Sequence, residues 1–348
     1  MNNYEIFNMK NSAKLSRLVT TGIGIGIGIG IATSAIIFAR SFFRPALAKP
    51  ADKQFIVAFS QLAFDDPWRV AFNQQMTKAA AKHPELKLVI VNAQRDSSKQ
   101  IADVENLLTQ KVDMLIISPN ESAPLTNVVK KVYDAKIPVI VLDRNVNGEA
   151  YTTFIGADNK FIGVQAGKYV AKWCAEKNLK PCQILEVTGL SGSTPAQERG
   201  AGFREGLASN PDAKIVSSVT SEWQKVKAVP AAAAAFQGNK GYNVVYAHND
   251  DSGEGAYIAA KNTNLDVSKM LFIGIDGLPD KNGSIVSILQ GRLGASFVYP
   301  NGAAEAIDLA YKMLVKGEKP TQKKVTLGTD MINVANAAEK CALYDCEK

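Results

Sequence analysis

At least five short apolar runs in this chain end on side chains that could do chemistry. Asp65, Asp66, Trp68 and Arg69 follow the first, Asp143 and Arg144 the fourth, and Asn249 and Asp250 the run at 244–248. Asp276 ends the run at 272–276, and Arg199 lies in the loop and helix after 183–188. In an open parallel sheet, ligands bind beyond the carboxyl ends of the strands, where these residues would gather. Carboxylates, guanidinium forks, an amide and an indole suit a ring carrying vicinal hydroxyls. A carboxylate or an Arg fork satisfies two hydroxyls at once, and an aromatic face covers the apolar side of the ring. A phosphate or acidic ligand would call for fewer carboxylates. Plainer roles stay open for each residue: Asp143-Arg144 as a local surface ion pair, Asp276-Gly277 as a turn former, Trp68 and Trp223 as core aromatics, Asn249-Asp250-Asp251 as a helix N-cap cluster. Joint occurrence at equivalent strand ends favours the binding role.

The elements that must position these residues are legible as alternating short β-branched runs and longer segments of helical period. Strands are expected at 54–60, 86–92, 113–118, 138–143 and 151–157, with helices at 67–83, 98–110 and 124–135 between them. The pattern restarts with a helix at 161–177, a strand at 183–188, a helix at 197–209 and strands at 214–220, 244–248 and 272–276. Pro230 either starts a helix at 231–236 or kinks a longer one. A βαβ series that begins twice predicts an α/β protein of two doubly wound parallel-sheet domains.

The chain has 348 residues, room for two domains of about 150 residues each. Its net charge of +7 is misleading, because Lys10, Lys14, Arg17, Arg40 and Arg44 against Glu5 place more than half of it ahead of Lys49. The basic balance therefore does not argue for nucleic acid. Residues 19–39 are uncharged and rich in alternating Ile and Gly, and Ala46-Leu47-Ala48 follows. This predicts a secretory signal peptide over 1–48, cleaved after Ala48. The apolar run is also long enough to span a bilayer, so an uncleaved membrane anchor is the alternative. Cys174, Cys182, Cys341 and Cys346 fall into two close pairs, which fits an oxidising compartment and favours bonds 174–182 and 341–346, with four free thiols as the alternative. The two histidines, His83 and His248, stand far from these cysteines, so neither a metal site nor a cofactor is expected.

Asp66–Arg69, Val141–Arg144, Gln197–Gly200, Ala247–Asp250 and Gly274–Gly277, in this order and spacing, resemble the ribose-type periplasmic binding proteins, whose ligand domain is shared with LacI-type regulators. The resemblance runs from about Phe55 to Val334. Phe59-Ser60-Gln61, Trp68-Arg69, Lys180-Pro181-Cys182, residues 245–250 and Pro300-Asn301 are most similar to its galactofuranose-binding members. Trp68 stands where ribose binders carry a phenylalanine, and Tyr299 where they carry a glutamine, so ribose itself is disfavoured. The resemblance implies a type I fold whose chain crosses between lobes near Ala157-Asp158, Tyr299-Pro300 and Leu327-Gly328. One lobe would comprise 49–157 and 300–327, the other 158–299 and 328–348, joined by a three-strand hinge. It also implies binding positions at Asp66, Trp68, Arg69, Asp143, Arg144, Arg199, Trp223, Asn249, Asp276 and Tyr299, with Asp65 matching a glutamate of the galactofuranose binders. Trp68 and Trp223 would flank the ligand from opposite lobes.

The implied function is the periplasmic substrate-binding component of a sugar ABC importer, a monomer that hands a monosaccharide to a membrane permease. A sensor presenting sugar to a chemotaxis or two-component receptor is the alternative. A LacI-type regulator would need DNA-binding helices where the leader stands. A hydrolase would need an activated nucleophile, and Gly189–Ser193 lacks the Gly-x-Ser-x-Gly elbow around Ser191 and Ser193. Asp143 and Asp276 imitate a glycosidase pair, but neighbouring Arg residues are expected to keep both ionised and remove the general acid. Asp143→Ala is expected to abolish binding and leave the fold intact.

Overall fold

The structure is a computed structural model that describes residues 54–346, so the signal peptide expected over 1–48 lies outside the described residues. Two six-stranded sheets carry the architecture. The first holds β1 (Phe55–Gln61), β2 (Leu86–Asn92), β3 (Met114–Ile117), β4 (Val139–Leu142), β5 (Thr153–Ala157) and β11 (Lys324–Leu327), ordered β2-β1-β3-β4-β5-β11 and parallel throughout. The second holds β6 (Cys182–Thr188), β7 (Ala213–Thr220), β8 (Tyr242–Ala247), β9 (Leu271–Asp276), β10 (Ala295–Val298) and β12 (Met331–Asn333). It repeats the order as β7-β6-β8-β9-β10-β12, and only its β10–β12 edge pair is antiparallel. The repetition is the doubly wound pattern, with the strand order reversing at β1/β3 and again at β6/β8.

Sequence explains which strands are central. β3 (MLII) and β4 (VIVL) are unbroken apolar runs, buried along their whole length because helices cover both faces. The edge strand β7 instead alternates, its Lys214, Val216, Ser218 and Thr220 side more open than the other. The helices pack in pairs on the sheets: α1 (Pro67–Ala80) with α9 (Ala303–Leu314), α2 (Ser97–Thr109) with α3 (Ser122–Asp134), α4 (Asn159–Glu176) with α5 (Thr194–Leu207), and α6 (Lys225–Gly238) with α7 (Asp250–Asn262). The short α8 (Ser284–Leu289) and α10 (Ala337–Leu343) complete the second lobe. One apolar cluster lies under α2 and α3 and another under α6 and α7, while a third runs from one lobe to the other through Trp68, Ala157, Ile162 and Tyr299.

Several boundaries differ from the sequence reading. Helix α5 starts at Thr194 rather than at 197, and α3 at Ser122 rather than at 124; in both the proline sits in the first turn, where a missing N–H is harmless. Pro230 lies inside α6 and does not begin it. Chain crossings between the sheets fall after β5, after β10 and between β11 and β12.

The tightest packing is between α4 and α5. A Cβ added to Gly202 would stand 2.2 Å from the Lys160 carbonyl oxygen, and one on Gly163 would stand 2.4 Å from that of Arg199. Gly167 and Gly206, four residues further along each helix and so on the same faces, make equivalent approaches. The two backbones are in direct contact. Disulfides join Cys174 to Cys182 and Cys341 to Cys346, the pairing expected from their grouping.

Candidate functional site

Helix and strand ends aim the candidate residues at one space. Asp66 caps α1: its Oδ1 accepts a hydrogen bond from the Arg69 amide at 2.8 Å, and Pro67 begins the helix. Trp68 and Arg69 therefore leave the first turn, both buried. Asp143 follows β4 directly and takes a left-handed φ of 67°, a conformation that Asp tolerates better than most residues. In the second lobe, Asn249 caps α7 by accepting from the Ser252 amide at 3.3 Å. Asp276 ends β9 and Tyr299 follows β10. Trp223 sits between β7 and α6 with φ 72°, and its ring fills the space over Gly189, where any Cβ would lie 2.1 Å from it.

Together Asp66, Trp68, Arg69, Asp143, Arg144, Arg199, Trp223, Asn249, Asp276 and Tyr299 line a cavity of about 360 Å³ between the lobes, with Pro195 added. Asp65 is the residue of the expected set that stays outside. Its carboxylate is 65% exposed and engaged by Arg95 at 2.8 Å, because it precedes the cap residue and points away from the helix start. Arg95 also reaches Asp66 at 3.0 Å.

The first-lobe wall is an ion-paired network. Arg69 donates to Asp143 Oδ2 at 2.7 Å, to Ser118 Oγ at 2.9 Å and to Gln61 Oε1 at 3.2 Å, and its guanidinium lies 4.7 Å from the Trp68 ring centre. Ser118 donates to the same Asp143 oxygen at 3.0 Å, and the Tyr299 hydroxyl donates to the other at 2.9 Å. Burial alone would raise the Asp143 acid, but the charges of Arg69 and Arg144 and these hydrogen bonds outweigh it and hold it below the usual carboxylate range. Asp143 and Arg144 are thus not a surface pair; both are buried and Asp143 is partnered by Arg69.

From Tyr299 the network continues into the second lobe. Asn159 donates to the Tyr299 hydroxyl at 3.3 Å and accepts from Arg199 Nε at 2.9 Å, and Arg199 also donates to the His248 carbonyl. Arg199 lies 4.3 Å from the Tyr299 ring centre and 5.3 Å from that of Trp223, over which Arg144 also stands at 5.3 Å. Gln61, Ser118 and Asn159 were not among the expected residues. The strand-end signal that exposes Asp143 applies equally to Gln61 and Ser118.

Four groups keep binding capacity towards the cavity. Neither Arg144 nor Arg199 forms an ion pair with a carboxylate among the described residues, and burial together with the nearby Arg69 pushes Arg144 below its ordinary value. The buried Trp223 indole N–H has no hydrogen-bond partner among the described residues, whereas that of Trp68 donates to the Tyr299 carbonyl at 2.8 Å. Among the described residues no donor reaches the Asp276 carboxylate; burial and the adjacent Asp250 charge raise its acid well above the ordinary value. The expectation that nearby Arg residues keep both Asp143 and Asp276 ionised is not matched at Asp276, where burial and the Asp250 charge outweigh Arg199.

Residues 57–319 match the family model described as periplasmic binding protein domain. The chain is similar to the galactofuranose-binding protein YtfQ of Escherichia coli (strain K12), 32% identical over 292 residues that cover 82% of this chain and 88% of that protein. It is also similar to the ribose import binding protein RbsB of Bacillus subtilis (strain 168), 31% identical over 265 residues, 75% of this chain and 83% of that one. Among solved structures it resembles the fructose-binding periplasmic domain of a hybrid two-component system, with TM-score 0.79 and 35% identity over 84% of this chain and 95% of that chain.

Proposed function

This chain belongs to the periplasmic binding protein domain family, and from that premise we propose that it is the exported, periplasmic substrate-binding component of a sugar ABC importer, acting as a monomer. The observation that carries the reading is the cavity wall: three guanidinium groups, three carboxylates, an amide, a tyrosine and two indoles drawn from both lobes around about 360 Å³. Donors and acceptors both abound there, which suits a neutral ligand with many hydroxyls. Arg144, Arg199 and Trp223 offer donors to its oxygens, Asp66, Asp276 and Asn249 offer acceptors, and Trp68 and Trp223 present apolar ring surface. Two or three such charge-assisted bonds with ring contact are enough for micromolar affinity, about 8 kcal/mol.

Binding from two lobes favours the closed form, because only a closed cleft lets one ligand touch Asp143 and Asp276 sides together. Direct contacts at the rim add to closure: the Ser122 amide donates to the Gly192 carbonyl at 2.9 Å and the Asn145 amide to Thr194 Oγ1 at 3.0 Å. A permease reading the closed shape would learn that cargo is aboard. The protein would bind sugar and perform no chemistry on it.

The similarity to a domain of a two-component system favours a second reading, in which the closed form is presented to a sensor. Thermal-shift screening of the purified protein against pentoses, hexoses and their furanose forms tests sugar binding; a ligand at 100 times its Kd stabilises by about 2.7 kcal/mol. Absence of any shift would reject it. Sugar-dependent capture of an importer permease supports transport, and capture of a receptor kinase instead assigns the sensor role.

A further inference from the structure

Adjoining the first cavity is a second, bounded by the amino ends of α1, α7 and α8 and the turn after β9. The two share Asp66, Trp68, Asn249 and Asp276, so a single ligand can touch the walls of both. Its further lining includes Asp250, Asp251, Glu254 and Ser284 and contains no Lys or Arg. Among the described residues, two groups there lack a hydrogen-bond partner. The Asp276 carboxylate receives no hydrogen bond from the protein. The Ser284 hydroxyl, on a residue 1% exposed, leans towards Asp250 close enough to affect its acidity but makes no well-formed hydrogen bond.

Charge distribution decides what kind of group fits. Asp66, Asp251 and Glu254 already have their own cations in Arg95, Lys225 and Arg292, at 3.0, 3.1 and 3.0 Å. Asp143 is matched by Arg69. The remaining carboxyl groups, Asp250 and Asp276, face the unpaired Arg144 and Arg199 across the joint space; burial raises both acids, and the Asp250 charge raises Asp276 further, so they leave no negative charge in excess. An ammonium group would therefore meet no surplus negative charge to pair with. Neutral donors already serve Asp250, which accepts from Ser296 Oγ at 2.8 Å and the Gly277 amide at 2.9 Å. Hydroxyls fit the same pattern.

We propose that the second cavity is a subsite for a neutral, hydroxyl-bearing exocyclic arm of the ligand, with Asp276 and Ser284 as its hydrogen-bonding groups. The ligand is then a six-carbon sugar whose arm reaches past the ring site, and a five-carbon sugar leaves the subsite unused. This rests on the sugar-binding reading and adds a size requirement to it.

Three pairs of sugars with matched ring stereochemistry separate the two ideas: D-galactose with L-arabinose, D-glucose with D-xylose, and D-allose with D-ribose. In each pair the hexose carries one more exocyclic carbinol. Calorimetric titration is expected to give the hexose of the binding pair an affinity about tenfold above its pentose partner, the worth of one hydrogen bond to a charged group. Ser284→Ala removes an unpartnered hydroxyl, so the ligand-free melting temperature should hold, while the hexose loses affinity several-fold and the pentose does not. Equal affinities within the binding pair, or a Ser284→Ala effect shared by both sugars, overturns the subsite and leaves sugar binding standing. A 6-amino-6-deoxy derivative that binds more tightly than its parent hexose would also overturn it, by assigning the cavity to a cation. If none of the six sugars binds, sugar binding is in doubt and the subsite falls with it.

Discussion

Removing the Asp143 carboxylate should unsettle the protein before any ligand is added. The side chain is buried and accepts three hydrogen bonds, from Arg69 at 2.7 Å, Tyr299 at 2.9 Å and Ser118 at 3.0 Å. In Asp143→Ala the Arg69 guanidinium keeps only Ser118 and Gln61 as acceptors and has no counter-charge, a loss of about 3–5 kcal/mol for a broken buried pair. Ala at φ 67° also meets the left-handed penalty, about 1–2 kcal/mol, which Asp and Asn partly escape. The sum, about 4–7 kcal/mol, is comparable with the whole stability of many domains. The sequence-based expectation that this variant keeps its fold is therefore replaced by one of severe destabilisation. Asp143→Asn keeps the backbone preference and should lose about 3 kcal/mol. Urea denaturation followed by tryptophan fluorescence measures each variant, and Arg69→Met with Asp143→Asn completes a double-mutant cycle. A coupling of about 3 kcal/mol is expected; a value below about 0.5 kcal/mol would refute the buried pair.

Trp223→Phe keeps most of the ring and deletes an N–H that has no protein partner, so the ligand-free melting temperature should change little while Kd rises about three- to tenfold; an unchanged Kd removes Trp223 as a donor. Burial would raise Glu186, but hydrogen bonds from His248, Arg204 and Ser218 prevail and hold it at about 2. Its folded value is depressed, so its contribution, on the order of 3 kcal/mol, is full above pH ~4.5 and is lost as pH falls towards ~2. Glu186→Gln should be less stable at neutral pH and should flatten that acid limb, and stability curves of both proteins between pH 7 and 2 check it. Cys174→Ala with Cys182→Ala opens a small loop and should lower stability by about 2–3 kcal/mol in denaturant titration. A loss under about 0.5 kcal/mol would show that the bond constrains little.

Strand-end chemistry was legible because the strands announce themselves. Residues 139–142 are four consecutive aliphatics, so Asp143 stands out as the first polar group after them, and Asp276 closes β9 in the same way. Adjacent residues could not be ranked by such a signal: Asp65 and Asp66 differ only in which one caps α1, and the cap decides that Asp66 faces the cavity and Asp65 the solvent. The place of Trp223 depends on two successive left-handed residues, Glu222 and Trp223, which no periodicity records. Beyond Asp276 the sequence reading found no elements: β10 mixes Ser296 into its run and β12 has three residues, while the 12-residue helix α9 was passed over. The Asp250–Asp276 relation is likewise invisible in one dimension, because it arises from the parallel neighbours β8 and β9 ending side by side.

The glycine contacts between α4 and α5 make the two helices a single lever. No side chains lie between Gly163 or Gly167 and their opposite backbones, so nothing there can slide or repack to absorb a rotation. The lever's near end is Asn159, two residues past Ala157 where the chain leaves the first sheet, and its load is Arg199. Angular change at that crossing reaches the guanidinium undamped. The exposed Lys168 and Lys172, further along α4, travel with it, so a fluorophore attached there would act as the pointer of a gauge and turn cleft closure into an optical signal.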